Sequence, residues 1–112
     1  MYSNDDIAQF VNLVAEATDP DRIILFGSYA YGTPSEKSDI DLLVIKNGTD
    51  ITYDDEADLS AAIYFERKQR KLNTRYDVFF RTDEQVAQTV DNSGALLDAV
   101  QKGRVVYERA NT

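Results

Sequence analysis

The chain has 112 residues, of which 20 are acidic and 12 basic, giving a net charge of −8; 43% are apolar, and cysteine and histidine are both missing. Such a length suits one domain, 1–112, that buries roughly two-thirds of its unfolded surface, and the apolar share argues for a globule rather than a disordered chain. The missing residue types exclude disulfides, thiolate nucleophiles, histidine metal sites and every Ser-His-Asp arrangement, and the acidic balance disfavours nucleic acid as a partner, because that affinity rests largely on phosphate neutralisation.

No segment approaches the roughly 20 apolar residues of a membrane span, and no signal peptide opens the chain. A cytoplasmic protein without membrane contact is therefore expected, one whose negative surface favours a basic protein partner.

Taken in order, Ser3 or Asn4 can cap a first helix whose Ile7, Phe10, Val11 and Val14 recur on one face. Asp5 and Asp6 lie in its first turn, where the helix dipole favours acids. Asp19-Pro20-Asp21 ends it and hands over to an apolar strand, Arg22–Phe26. A Gly27-Ser28 turn follows, with a short segment closed by Gly32-Thr33-Pro34 and then Ser38-Asp39-Ile40-Asp41 leading into a second apolar run, Leu42-Leu43-Val44-Ile45. Lys46-Asn47-Gly48 marks the next turn.

Residues 54–72 read as a longer helix, acidic in its first half and basic in its second, with Leu59, Ala62 and Ile63 as its core stripe. The basic end (Arg67, Lys68, Arg70, Lys71) reads either as a solvated helix terminus or as a clamp for phosphates or a partner. Residues 75–80 form a strand with Tyr76, Val78 and Phe80 on one face and Asp77 and Phe79 on the other. Asp77 must lie in water at the sheet edge or meet a positive group, since burying it unpaired is expensive. A short helix over 83–91, a second capped by Ser93, and a closing strand, Val105-Val106-Tyr107, complete the pattern, with Gly103 placed as a left-handed helix stop.

The chemistry concentrates between the first two strands. Positions two apart on a strand face the same way, so Asp39 and Asp41 point into one volume. Two carboxylates there repel unless a cation joins them, and magnesium prefers one or two carboxylates together with phosphate oxygens. Gly27 lets the backbone approach a ligand, and Ser28 offers a hydroxyl and an amide where a phosphate can sit. Alone, Asp-x-Asp is often a solvated strand end and Gly-Ser an ordinary turn; together, at this spacing, they suit metal-assisted phosphoryl or nucleotidyl transfer.

Gly27-Ser28, ten intervening residues, then Asp39-Ile40-Asp41 matches the signature of the DNA polymerase β-like nucleotidyltransferase superfamily, and the wider string from Leu25 to Leu42 resembles its minimal branch, the MNT domain proteins. The resemblance implies an α+β fold, a mixed sheet with helices packed mainly on one face. It implies ATP at Gly27 and Ser28, and two Mg²⁺ ions held by Asp39, Asp41 and a third aspartate on the next strand, the position of Asp77. Asp77 would also take the proton from the attacking hydroxyl.

For MNT antitoxins the acceptor is a tyrosine of a HEPN toxin, modified by AMP transfer. HEPN ribonucleases use an Arg…His motif, and this chain has no histidine, so the toxin would be a separate chain in a hetero-oligomer. Other readings are an antitoxin that neutralises its partner by binding alone, and a small-molecule nucleotidyltransferase. One departure stands out: members of the family often carry basic residues near the positions of Tyr29 and Tyr31, and here both are tyrosine, able to stack on a base or pack beneath the loop.

Overall fold

The computed structural model describes residues 1–89 and 94–110. In chain order the elements are α1 (Asn4–Thr18), β1 (Arg22–Phe26), α2 (Ser28–Tyr31), β2 (Ile40–Ile45), α3 (Tyr53–Gln69), β3 (Tyr76–Arg81), α4 (Asp83–Thr89), α5 (Gly94–Lys102) and β4 (Arg104–Glu108). The strands form one mixed sheet in the order β3-β2-β1-β4. β1 runs antiparallel to both β2 and β4, and β2 runs parallel to β3. A parallel pair needs a long crossover, which α3 supplies. Among the described residues no helix is long and apolar enough to cross a membrane.

Strand alternation divides the core. Ile23, Leu25, Leu42, Val44 and Phe80 face α1 and α3, meeting Phe10, Leu13, Val14 and Ile63 in the larger cluster. The other face carries Phe26, Leu43 and Ile45 against Leu96 and Ala99 of α5, with Ile24, Phe79 and Val86 at the margin. The two long helices thus share one face, as the α+β expectation required, and the two short C-terminal helices cover the other. The acids at 39, 41 and 77 are in phase with Leu43 and Phe79, so they belong to the α5 side.

α1 forms as expected. Ser3 is its N-cap in a capping box with Asp6, and Ile7, Phe10, Val11 and Val14 are all buried. α3 is offset from expectation at both ends. A capping box of Thr52 and Asp55 starts it at Tyr53, and a left-handed Lys71 (φ 57°) turns the chain out of the helix. Of its expected stripe only Ile63 is buried. Ile63→Ala should therefore cost about 2–5 kcal/mol, as measured by denaturant unfolding, because that side chain is α3's main anchor.

Gly103 is needed for a reason other than the one expected. Its φ is not positive; instead a Cβ there would lie 2.4 Å from the Ala99 carbonyl and 2.6 Å from Ile24 Cγ2. Close packing of the α5–β4 junction, not a left-handed stop, requires glycine. The end of the helix expected over 83–91 and the Ser93 cap lie outside the described residues.

Candidate active site

The parallel register of β2 and β3 sets Ile40 beside Tyr76 and Asp41 beside Asp77. The tripeptide Asp39-Ile40-Asp41 therefore runs alongside Arg75-Tyr76-Asp77. Asp41 and Asp77 are direct neighbours on one sheet face, and Asp39, just before β2, meets Arg75. On its other side Asp41 pairs with Phe26, the last residue of β1. That pairing brings the turn after Phe26 over Asp41. Gly27 sits there at φ 74°, ψ −163°, and a Cβ on it would lie 2.0 Å from Asp41 Oδ2. The chain can pass this close to the carboxylate only because position 27 has no side chain. The Gly27 carbonyl then accepts from the Ala30 and Tyr31 amides (3.0 and 3.1 Å), starting α2 at Ser28. All five residues singled out from the sequence thus lie at one end of the sheet.

The electrostatics mark Asp41. Its carboxyl is pushed up from 3.8 to about 6, first by burial, then by Asp77 and Asp39. Asp77 is exposed and Asp39 partly so. Among the described residues the short-range cation that meets these three acids is Arg75, whose Nε touches Asp39 Oδ1 at 3.3 Å rather than Asp41. Among the described residues no three acids stand as a ready-made metal cage. The donor set still fits a hard divalent cation. It offers carboxylate oxygens, an accumulated charge that no described residue offsets at Asp41, and an opening framed by a bare glycine backbone.

The sign of the resulting pH effect follows from Asp41's displacement. A carboxyl raised in the folded state is a proton gained on folding, so the metal-free protein loses stability as pH rises from about 4 to about 6. The displacement would be worth roughly 3 kcal/mol for a fully buried group, and solvent screening of this half-buried one reduces it to about 1 kcal/mol. Asp41→Asn, with no charge to desolvate or repel, should be about 1 kcal/mol more stable than the parent at pH 7.5 in chelator, with the difference vanishing by pH 4. Thermal unfolding across that range is the check.

Three residues at the site escaped the sequence reading. Arg75 Nη2 donates to the Glu36 and Ser38 carbonyls at 2.7 and 3.3 Å, and its guanidinium lies 5.6 Å from the Tyr2 ring centre. Tyr2 joins this group by accepting from the Arg75 amide at 2.7 Å through its Oη, while its own amide donates to Tyr29 Oη at 2.9 Å. Lys102, at the end of α5, holds its Nζ 6.0 Å from the Tyr31 ring centre. Period-two spacing between Arg75 and Asp77 was a legible signal for the first. Nothing local in the sequence announces the other two.

The two tyrosines divide their roles. Tyr29 is buried in the main core, whereas Tyr31 is 37% exposed beside Lys102. The basic end of α3 is engaged in packing. Arg70 bridges Glu16 (2.7 Å) and Glu66 (3.3 Å), and Arg67 lies over Tyr64 and Tyr76 while donating to the Thr74 carbonyl.

The sequence matches the family described as Polymerase beta, Nucleotidyltransferase over residues 8–112. No curated protein matches it significantly. Among solved structures, the chain resembles a Sulfolobus solfataricus protein assigned as a nucleotidyltransferase (19% identity, 92% of this chain and 78% of that one, TM-score 0.57). It also resembles a chain of a toxin–antitoxin complex with AMP-PNP (19% identity, 91% and 73%, TM-score 0.57). A third neighbour is a mutant of the MntA-HpeT toxin–antitoxin (17% identity, 90% and 72%, TM-score 0.56). At these identities the likeness establishes the fold.

Proposed function

Since the chain belongs to the polymerase β nucleotidyltransferase family, we propose that it acts as a single-domain antitoxin that transfers AMP from ATP to a tyrosine hydroxyl of a separate HEPN-type toxin. The observation that carries this reading is the convergence of Asp39, Asp41 and Asp77 opposite the Gly27-Ser28 turn. The toxin–antitoxin neighbours, one of them with AMP-PNP, support the choice of partner and nucleotide.

In this reading Gly27 and Ser28 hold the phosphates against the backbone, and Asp39, Asp41 and Asp77 hold Mg²⁺. Bound there, Mg²⁺ supplies charge stabilisation at the phosphoryl oxygens. Asp77, the most exposed of the three acids, accepts the proton of the attacking hydroxyl. That oxygen forms a bond to the α-phosphorus while the bond from the α-phosphorus to its bridging oxygen breaks, and pyrophosphate leaves. Lys102 and Tyr31 flank the same turn from α5 and α2. In this reading the pair supplies a cation and a ring face to the nucleotide in place of the basic residues absent at 29 and 31. The open setting of Asp77 suits an acceptor that brings its own side of the cleft.

The test is co-expression with the candidate toxin, followed by intact mass and mapping of the modified residue. Added adenylate on a toxin tyrosine is expected. A stable, unmodified complex would favour neutralisation by binding alone, and label found only on a small metabolite would favour the third reading.

A further inference from the structure

We propose that Arg75 is a positioning residue that fixes Asp39 for cation binding, an inference resting on the reading that Asp39 is a metal ligand. Five contacts converge on this one side chain and its amide. Nε reaches Asp39 Oδ1 at 3.3 Å, and Nη2 reaches the Glu36 carbonyl at 2.7 Å and the Ser38 carbonyl at 3.3 Å. The Arg75 amide donates to Tyr2 Oη at 2.7 Å, and the guanidinium packs over the Tyr2 ring.

The arrangement is directional. Asp39 precedes β2 and lacks the strand pairing that fixes Asp41. Its orientation must come from elsewhere, and the planar fork of arginine can hold a carboxylate and neighbouring carbonyls at once. With Oδ1 engaged, Oδ2 has no hydrogen-bond partner among the described residues and remains as the ligating atom. Arg75 is itself anchored at its backbone, where its carbonyl accepts from the Ile40 amide at 3.0 Å, so the residue leading into β3 is the clamp and the residue leading into β2 the ligand. Tyr2 extends the chain of contacts to Tyr29, inside the nucleotide-turn helix. An arginine that merely stapled the surface loop would satisfy the two carbonyls and need not reach Asp39.

A side chain that orients a ligating carboxylate is typically worth 10–100-fold in metal affinity. Mn²⁺ titration followed by its spin-resonance signal, which needs no substrate, measures this directly. Arg75→Met should weaken Mn²⁺ binding about 10–100-fold, and Arg75→Lys, which keeps the charge but loses the fork, should fall between it and the parent. In transfer assays the half-saturating Mg²⁺ concentration should rise while the rate at saturating metal stays near the parent's. In an Asp39→Asn background, Arg75→Met should have no further effect.

Arg75 is half-exposed, so its removal opens no buried cavity, and the lysine variant provides a second, milder probe. Equal or tighter Mn²⁺ binding by the methionine variant overturns the inference, provided the parent binds Mn²⁺ more tightly than Asp39→Asn. If the parent binds no more tightly than that variant, the metal-ligand reading falls, and this inference with it.

Discussion

Exchanging Asp39 and Asp41 together for asparagine is expected to lower nucleotidyl transfer by at least about a thousand-fold, because a metal's charge stabilisation is worth several kcal/mol. The same variant should fold and unfold no more easily than the parent. Asparagine matches aspartate in shape, and the strand pairings of residue 41 with Phe26 and Asp77 run through the backbone. At neutral pH the exchange also removes the buried charge, and with it the desolvation and the repulsion from neighbouring acids that push the Asp41 carboxyl up to about 6. Lost activity with retained or raised stability is the signature of acids kept for function at some cost to the fold. A pair of merely solvated strand-end acids would show neither effect. Transfer rates in Mg²⁺ and unfolding midpoints in chelator, measured on one preparation, separate the two cases.

Gly27→Ala is expected to show the second largest effect. The backbone at φ 74°, ψ −163° suits glycine alone, and forcing another residue into it costs about 1–3 kcal/mol. The new Cβ would also stand 2.0 Å from Asp41 Oδ2, so the carboxylate has to move. A misplacement of that order near reacting groups costs about a hundred-fold in rate. Gly48→Ala is the matched control. Gly48 also has positive φ (127°), but a Cβ there meets nothing within 4 Å. It should lose stability in unfolding assays and keep its rate, whereas Gly27→Ala should lose both. Equal rates in the two variants would show that the contact between position 27 and Asp41 does not matter to the reaction.

Much of the site was legible because strand phase is a local property. Arg22–Phe26 and the run after Asp41 are apolar enough to announce strands, and period two then puts Asp39 and Asp41 on one side. Placing Asp77 beside them took the family resemblance, because sheet order is not written in either segment alone; the β2–β3 register is what makes them neighbours. The same register would have suggested Arg75, since it pairs Arg75-Tyr76-Asp77 with the first acidic tripeptide. Tyr2 and Lys102 were beyond reach. Each arrives from an element distant in sequence, and the contacts that bring them in are tertiary.

The limits of α3 were misjudged for a related reason. Its capping box joins Thr52, just upstream of the acidic run, to Asp55 within that run, and its exit depends on left-handed backbone at Lys71, a non-glycine residue. Its basic end looked like a candidate clamp, yet Arg67 and Arg70 are engaged with aromatic rings and with Glu16 and Glu66. The cation that does reach the acids lies four residues beyond Lys71, at the start of the next segment.

ATP labelled at the α-phosphate, compared with ATP labelled at the γ-phosphate, tests the central claim most directly when each is incubated with the chain, its partner and Mg²⁺. If Asp39, Asp41 and Asp77 form a nucleotidyl-transfer centre, the α-label becomes bound to the acceptor, the γ-label leaves with pyrophosphate, and chelator stops both. Covalent transfer of the γ-label, or α-labelling that persists in chelator or in the Asp39 and Asp41 double variant, would contradict it.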